Sequence, residues 1–410
     1  MAEFIPFRAW RPRPDNVQRV VSRPYESYTR DEAEHILRTE PQSFLHVVRP
    51  DFSSDAKLPS GSTALFRASK AMFSTLTAQG AMVCEAAPAY YIYAQQMAGR
   101  VHMGIMGCAS VRDYDSGHIR IHEQTIADRE RKLKEYLSVC DINAEPVCLT
   151  CPRHPDLARF IADSALQAPL FDFATDDGRQ HRLWAVTLPH RVQLLRTMLA
   201  SVPALYIADG HHRSASSVLL AHEQWAKGRT DPDAPHNYFL SILFPDDQLR
   251  IWEFNRVVRD LGTHTPATFL AALSARFHLS PGQATSAKGT FGMYLSGTWH
   301  TLRLRQPEST GTVGSLDVSI LAHHILAPIL GITDQRTDRR LGFVPGPAGT
   351  AALQQMVDSG QQAVAFALHP VSGQEFYAIS DQGLTMPPKS TYIVPKLLSG
   401  LVVYGLGDGI

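Results

Sequence analysis

The sequence has little of what marks a secreted or membrane protein. Five cysteines in 410 residues are too few and too scattered for a disulfide scaffold, so free thiols are expected. No apolar run approaches the roughly 18 residues that a membrane-spanning helix needs. The first residues, MAEFIPFRAWRPRPD, carry charge and proline where a secretory signal needs an apolar stretch. These absences predict a cytoplasmic protein with no membrane partner.

The sequence also lacks an excess of charge and the familiar catalytic signatures. Its 39 Lys+Arg residues balance 39 Asp+Glu residues, whereas a general nucleic-acid binder needs a basic face that releases counterions from phosphates. There is no G-x-x-x-x-G-K-[ST], no strand followed by G-x-G-x-x-G, no G-x-S-x-G and no H-E-x-x-H. These absences argue against nucleic acid as a partner, a Walker-type nucleoside triphosphatase and a dinucleotide fold.

What is present predicts a large α+β protein. With 44% hydrophobic residues the chain can bury a sizeable core. Strand and helix patterns alternate irregularly, which indicates mixed and antiparallel sheets with flanking helices rather than a parallel sheet. We expect an N-terminal α+β domain over residues 1–150 and a central domain over 151–310. A C-terminal α+β segment is expected over 311–410.

Local patterns predict several individual elements. Thr29 with Glu32 three positions later predicts a capping box that opens a helix. Apolar spacing predicts a helix over 62–80. Residues 89–122 are typical of three strands in an antiparallel meander, and residues 123–138 of a charged helix.

The most informative segment reads LYIADGHHRS. A buried strand ends at Asp209-Gly210 and a helix begins at once, which directs backbone N–H groups and the helix dipole toward one spot. Asp209 can cap the helix or hold a metal ion. His211 and His212 can bind a metal ion, move a proton or donate to phosphate, and the planar fork of Arg213 suits phosphate oxygens. The alternative is structural, with Asp209 only as an N-cap and the histidines satisfying buried polar groups.

Three other places carry candidate residues. Glu123 follows a short strand beside a histidine and is interpreted as a general base or metal ligand, or as a capping residue. The proline-rich loops that hold Lys389, Ser390 and Lys396 indicate a binding surface, or a C-terminal tail that covers the core. Glu26, in the triplet PYE, is either a functional carboxylate or part of an ordinary loop.

Nearly the whole chain resembles a bacterial and archaeal family known as domain of unknown function 1015. The resemblance is carried by PFRAWRP, RPYES, FLHVVRPDF, HEQT with DRERKL, YIADGHHR, NYFLSILFPDDQLRIWEFNRVV, LDVSILAHHILAPILGI and MPPKSTYIVPKLLSG. The chain departs from the family pattern at Glu26, where Asp is usual, and at Gln124, where Lys is usual. Family membership by itself implies no reaction.

The DGHHR turn is also similar to that of the ParB/sulfiredoxin-like superfamily, which includes free-serine kinases, nucleotide-binding partition proteins and sulfiredoxin. In that superfamily the turn lies at the nucleotide phosphates. The resemblance implies a ParB/sulfiredoxin-like core around the turn, with nucleotide phosphate and Mg²⁺ bound by Asp209, Gly210, His211, His212 and Arg213. It does not imply a sulfinic-acid reductase, because sulfiredoxin needs a cysteine inside this turn.

The resulting hypothesis is an enzyme that moves a phosphoryl group from ADP or ATP to a small hydroxylated metabolite such as free serine. Such a transfer needs cations at the phosphates and a base at the hydroxyl. Arg213 with the backbone of 210–213 would bind phosphate, and Asp209 would hold Mg²⁺. The remaining roles are donation to the transferring group by His211 or His212, proton removal by Glu123 or Glu26, and closure over the ligand by Lys389 and Lys396.

Two rival functions stay open at the level of sequence. A metal-dependent hydrolase would use Asp209, His211 and His212 as ligands, because imidazole suits Zn²⁺ better than Mg²⁺. A non-enzymatic, nucleotide-responsive regulator is the other. The sequence leaves the phosphate donor, the acceptor and the oligomeric state undetermined.

Overall fold

The structure is a computed structural model that describes residues 2–52, 58–282, 287–306 and 311–407. The chain forms two compact units. The first comprises Met1–Arg120, Thr125–Leu249 and Pro395–Ile410, and the second comprises Ile121–Gln124 and Arg250–Val394. Within the described ranges, no helix combines the length and apolar character that crossing a bilayer requires.

The described residues contain twenty strands. In chain order they are β1 Phe4–Ile5, β2 Ala9–Pro12, β3 Met82–Cys84, β4 Tyr90–Met97, β5 Arg100–Ser110, β6 Ile119–Arg120, β7 Ile142–Asn143, β8 Val147–Cys151, β9 Phe171–Ala174, β10 Gln180–Val186, β11 Leu205–Asp209, β12 Tyr238–Pro245, β13 Arg250–Val258, β14 Phe277–Pro281, β15 Thr290–Leu295, β16 Thr298–Leu304, β17 Leu341–Pro345, β18 Val364–Ala367, β19 Thr391–Val394 and β20 Val403–Gly405.

The same residues contain fourteen α-helices. They are α1 Val17–Val20, α2 Arg30–Thr39, α3 Leu45–Val48, α4 Thr63–Ala78, α5 Val111–Asp115, α6 Ala127–Cys140, α7 Pro155–Ser164, α8 Pro189–Ala200, α9 His211–Ala226, α10 Pro266–Ser274, α11 Gly311–Gly314, α12 Asp317–Leu321, α13 Gly349–Asp358 and α14 Gly373–Asp381.

The first unit is built on a mixed sheet in the order β6-β11-β8-β12-β5-β4-β10-β9, with β1 paired to β5. The β6–β11 and β8–β12 pairs are parallel, and the other pairs are antiparallel. Strand β12 is buried at every position, as expected for a strand covered on both faces. A second sheet, in the order β3-β2-β20-β7, joins the N-terminal and C-terminal segments of the chain.

The second unit is built on an antiparallel sheet in the order β14-β16-β15-β18-β13-β17. Strand β19 pairs antiparallel with the first half of β13. The pairing runs from Arg250 opposite Val394 to Glu253 opposite Thr391. Helix α13 covers a core that includes Val257 and Leu353. The two units together confirm the predicted class: mixed and antiparallel sheets with flanking helices.

Several local predictions are confirmed. Thr29 and Glu32 form the capping box of α2, with Glu32 Oε2 accepting from the Thr29 N–H at 2.8 Å. The predicted helix over 62–80 is α4, and the strands predicted over the first part of 89–122 are the β4–β5 hairpin. Chemistry that is local in sequence specifies each of these elements.

Two local predictions are wrong. The third strand of the predicted meander, β6, does not pair with β5. Strand β12 occupies that edge, and β6 lies parallel to β11 instead. The charged helix begins at Ala127 rather than at 123. Residues 121–124 precede it as part of the second unit, where the His122 carbonyl accepts from the Met386 N–H at 2.8 Å.

The predicted division into three segments stays a prediction. Its boundary at residue 150 lies within β8, and its boundary at residue 310 lies outside the described residues.

Candidate functional site

The predicted strand, turn and helix around DGHHR are present in the first unit. Strand β11 is buried from Leu205 to Ala208 and ends at Asp209, and α9 begins at His211. Between them Gly210 has a φ of 98°, in the left-handed region that favours glycine. Gly210 is the N-cap of α9, so the structural alternative with Asp209 as the cap is wrong. Glycine has no side chain with which to satisfy the first N–H groups of the helix.

Arg213 folds back over this turn. A Cβ atom added to Gly210 would lie 2.8 Å from Arg213 Nε and 3.0 Å from its NH2 group. The positive φ favours glycine at this position, and a side chain here would also force the Arg213 guanidinium to move. The guanidinium and the positive end of the 16-residue helix α9 lie together.

Asp209 is held by two cations. Its Oδ2 accepts a hydrogen bond from Lys396 Nζ at 3.0 Å and lies 3.7 Å from an Arg213 nitrogen. Burial alone would raise the pKa of Asp209, but Lys396 and Arg213 hold it well below its usual range. The side chains are 41%, 26% and 26% exposed for Asp209, Arg213 and Lys396 respectively. The cluster is ionised and open to solvent, and the structure brings together residues predicted from separate motifs.

The C-terminal segment carries Lys396 to the turn and is tightly held there. Ser399 and Ser22 exchange two backbone hydrogen bonds of 2.9 and 3.1 Å. Gly400, with a φ of 79°, lies so close to Phe44 that an added Cβ would be 2.4 Å from its Cγ. These contacts explain why the SG pair follows the lysine in PKLLSG.

Two glutamates lie around Arg213. Glu145, which sequence reasoning missed, accepts from Ser399 Oγ at 3.1 Å. Burial raises the pKa of Glu145, Arg213 opposes the increase, and Glu26 adds to it. Although burial alone would lower the pKa of Arg213, the carboxylates of Asp209, Glu145 and Glu26 raise it. The signal for Glu145 was a single charged residue between the buried Ala144 and the buried strand β8.

The motif FLHVVRPDF contacts Tyr25, the residue before Glu26. The Arg49 guanidinium lies over the Tyr25 ring, 4.8 Å from its centroid. Two hydrogen bonds of 2.9 and 3.0 Å join Arg49 to the Asp51 carboxylate. Burial raises the pKa of Tyr25, and Glu26 and Glu145 raise it further. The RPYES and FLHVVRPDF motifs therefore meet beside the DGHHR turn.

The two histidines of the turn differ in their surroundings. His211 is buried, and its imidazole contributes to the low pKa of Asp209. His212 Nε2 accepts the backbone N–H of Ile126 at 3.0 Å, at the N-cap of α6. His212 thus positions the start of α6, and the predicted donation to a transferring group by either histidine stays a prediction.

Glu123, Lys389 and Ser390 belong to the second unit, whereas the turn belongs to the first. Glu123 lies in the segment 121–124, outside the helix that it was expected to open. Ser390 is buried, and its hydroxyl donates to the Pro387 carbonyl at 2.7 Å. Lys389 is exposed, with its Nζ 5.4 Å from the centroid of the Phe254 ring. The predicted roles of these residues stay predictions.

The contacts of Asp209 do not fit a resident Mg²⁺ ion. A divalent ion prefers several oxygen ligands, whereas this carboxylate already faces an ammonium and a guanidinium. Asp209, Lys396 and Arg213 make one anion and two cations, and the carboxylates of Glu26 and Glu145 also act on Arg213. Two cavities of about 590 and 910 Å³ border the other end of α9, and residues of the turn line neither.

The family is established by a direct match. The chain belongs to the family described as "Protein of unknown function (DUF1015)", whose profile matches residues 4–319. No curated protein matches the chain.

Several solved structures are similar at low identity. A free serine kinase in complex with AMP is 10% identical, over 74% of this chain and 92% of that one, with a TM-score of 0.38. SbnI with a C-terminal truncation, from Staphylococcus aureus, is 15% identical, over 73% and 87%, with a TM-score of 0.40. A conserved hypothetical protein from Pyrococcus furiosus is 11% identical, over 75% and 97%, with a TM-score of 0.37.

Proposed function

We propose that the first unit binds the phosphates of a nucleotide, ADP or ATP, at the DGHHR turn and transfers a phosphoryl group to a small hydroxylated metabolite such as free serine. The observation that carries this proposal is the arrangement at the turn. The glycine-capped N-terminus of α9, the guanidinium of Arg213 and the ammonium of Lys396 surround one partly exposed carboxylate. A helix N-terminus, a guanidinium and an ammonium are all groups that bind phosphate.

Asp209 keeps the two cations in position before a ligand arrives. A phosphate that enters the cluster competes with Asp209 for Lys396 and Arg213, and the backbone N–H groups at the helix N-terminus add further donors. Since Asp209 remains ionised, it also orients Lys396, which reaches the turn from 187 positions away in sequence. Any Mg²⁺ would have to arrive with the nucleotide, because Asp209 with its two cations does not provide a site for the ion alone.

Glu26 and Glu145 supply the acid–base chemistry of this proposal. The substrate hydroxyl oxygen attacks the terminal phosphorus, the bond from that phosphorus to the bridging oxygen breaks, and the shortened nucleotide leaves. The hydroxyl proton passes to a carboxylate. Glu26 is exposed and acts on Arg213, whereas Glu145 is buried more deeply and burial raises its pKa. Two carboxylates in different environments are typical of acid–base pairs. Glu123 remains the alternative base predicted from sequence.

The metal-dependent hydrolase has less support. Its carboxylate ligand would be Asp209, which faces Lys396 and Arg213, and His212 Nε2 already accepts a backbone hydrogen bond. A regulator that only binds nucleotide would have no need for the pair of carboxylates beside Arg213.

The test of the reaction is a transfer assay with Glu26→Gln. Purified protein is incubated with ADP or ATP, Mg²⁺ and a mixture of amino acids and other hydroxylated metabolites, and phosphorylated products are identified by mass spectrometry. Loss of a general base lowers turnover about 100-fold or more, so we expect that loss with nucleotide affinity retained. The control is Glu34→Gln, a partly exposed glutamate on α2 of the same unit. Full transfer by Glu26→Gln would contradict the role of Glu26, and no product with wild-type protein would contradict the proposed reaction.

A further inference from the structure

The second unit contains a fully buried arginine with no opposite charge. Arg256 lies on β13, which has neighbours on both sides, and its exposed fraction is 0%. No carboxylate lies within ion-pair distance of its guanidinium among the residues that the structure describes. Its N–H groups donate instead to neutral oxygens, the Phe254 carbonyl at 2.7 Å, the Pro388 carbonyl at 3.0 Å and Gln335 Oε1 at 3.5 Å.

The buried guanidinium remains charged at neutral pH. Burial lowers the pKa of Arg256, but only to about 9. A buried charge without an opposite charge is costly to desolvate, and even buried ion pairs can often be replaced by well-packed apolar residues without loss of stability. The hydrogen bonds to neutral oxygens and the Phe343 ring, whose centroid lies 4.6 Å from the guanidinium carbon, offset this cost in part. Arg256 therefore contributes a charge at this position that an apolar residue would not.

The bond to Pro388 connects Arg256 to the loop Pro387–Ser390. Lys389 in this loop has a φ of 54°, although it is not a glycine. The left-handed conformation is unfavourable for such a residue and is often found at ligand-binding sites. Ser390 Oγ closes the loop by donating to the Pro387 carbonyl at 2.7 Å. Two hydrogen bonds therefore hold the loop, one from Arg256 to the Pro388 carbonyl and one from Ser390 to the Pro387 carbonyl.

Lys389 also lacks a carboxylate partner within the described ranges. Its Nζ lies near the face of the Phe254 ring. The backbone carbonyl of the same Phe254 accepts a hydrogen bond from Arg256. Two positive charges are therefore associated with this loop, one exposed and one buried. Each faces an aromatic ring, and neither is paired with a carboxylate of the described residues. An anion from solution would supply the opposite charge and would be drawn to the exposed lysine.

We propose that the loop Pro387–Ser390 is an anion site for a phosphate group, in which Lys389 contacts the ligand and Arg256 is a positioning residue. Arg256 sets the loop conformation through the Pro388 carbonyl and adds the field of its charge. The ligand is a phosphate-class anion, either free phosphate or the phosphate of a nucleotide or phosphorylated metabolite. This inference does not depend on the function proposed for the turn, because it rests on contacts within the second unit alone.

The experiment is a calorimetric titration of the full chain with inorganic phosphate and, separately, with ADP. We expect Lys389→Ala to weaken binding at least tenfold. The matched control is Lys288→Ala, since Lys288 is a lysine of the same unit that is paired with Glu375. Loss of ADP binding in Lys389→Ala with retained phosphate binding would identify a nucleotide as the ligand of the loop, and the reverse would identify free phosphate.

Arg256→Lys and Arg256→Met separate a positioning role from a merely structural one. Arg256→Lys keeps the charge, so we expect it to retain most of the affinity. Arg256→Met removes the charge, so we expect it to lose as much affinity as Lys389→Ala while unfolding at the same temperature or higher. A lowered unfolding temperature with unchanged affinity would show that Arg256 is only structural, and the inference would fail.

Arg213→Ala, titrated in parallel, distinguishes this inference from the proposed function. If Arg213→Ala loses binding and Lys389→Ala keeps it, the site at the turn stands and the loop site is contradicted. If Lys389→Ala loses binding and Arg213→Ala keeps it, the loop site stands and the turn is contradicted. Absence of phosphate and ADP binding by the wild-type chain would overturn the loop site.

Discussion

At the scale of single residues, Gly210 explains the geometry of the turn at which we propose a binding site. Its φ of 98° directs the chain from β11 into α9, and its missing Cβ leaves room for the Arg213 guanidinium. The positive φ of Gly210 and the space that it leaves for Arg213 could be inferred only in part from sequence. An Asp-Gly pair before a helix predicts the turn, but the position of the arginine over it depends on a side-chain conformation that sequence does not specify.

Replacing Gly210 by alanine should damage both stability and binding. We expect Gly210→Ala to lower the free energy of unfolding by about 1–2 kcal/mol, because alanine is unfavourable in the left-handed region. We also expect weaker nucleotide binding, because the new Cβ displaces Arg213. The control is Gly178→Ala, at a φ of 77° with no atom within 4 Å of the added Cβ. Urea unfolding and nucleotide titration of both variants check this, and equal nucleotide affinity in the two would argue against displacement of Arg213.

At the scale of elements, the β9–β10 hairpin shows what local sequence predicts well. The Asp177-Gly178 pair predicts a tight turn, and Gly178 adopts the required positive φ. What sequence does not show is the partner across the sheet. His181 on β10 is buried, with Nδ1 2.8 Å from the Tyr93 hydroxyl and Nε2 3.1 Å from Thr175 Oγ1.

This histidine should make the protein less stable in acid. Burial lowers the pKa of His181 from 6.5 to about 4 in the folded state. The unfolded chain therefore binds more protons between those values, and stability falls as the pH decreases through this window. We expect His181 to account for a loss of about 2–3 kcal/mol between pH 7 and pH 4.5. Urea unfolding of wild type and His181→Gln at both pH values measures it, and identical pH dependence in the two would contradict the assignment.

Other elements show why sequence patterns were insufficient. The short strand β6 follows β5 in sequence, and a meander is the usual expectation for such neighbours. Its partner is instead β11, because β12 pairs with β5 over six positions and is entirely buried. Likewise the charge pattern over 123–138 is helical only from Ala127 onward. Pairing partners far apart in sequence decide both cases, and one sequence without its contacts does not reveal them.

At the scale of the whole molecule, the site in the first unit depends on both ends of the chain. The turn at Asp209 and Gly210 could be predicted from sequence, and its role as an anion site stays a prediction. That Lys396 would reach it, or that Glu26 and Glu145 would surround Arg213, could not be predicted, because three separate segments meet there. The C-terminal strand β20 lies between β2 and β7 and helps to hold this arrangement.

Gly400 tests the attachment of the C-terminal segment. We expect Gly400→Ala to lower the free energy of unfolding by about 2–3 kcal/mol, because it adds both left-handed strain and a collision with Phe44. It should also weaken nucleotide binding, since Lys396 is displaced. The control is Gly383→Ala, with a φ of 65° and no atom within 4 Å of the added Cβ. Chemical unfolding checks the difference, and equal losses in the two variants would contradict the close contact with Phe44.

The central claim is that the turn at Asp209 binds the phosphates of a nucleotide, and the most direct test is calorimetric titration of Arg213→Ala with ADP and ATP in the presence of Mg²⁺. The control is Arg182→Ala. Arg182 lies on β10, and its Nε is 3.1 Å from Asp172 Oδ2. We expect the wild type and Arg182→Ala to bind equally, and Arg213→Ala to bind about tenfold or more weakly with its fold intact. Unchanged nucleotide affinity in folded Arg213→Ala would contradict the claim.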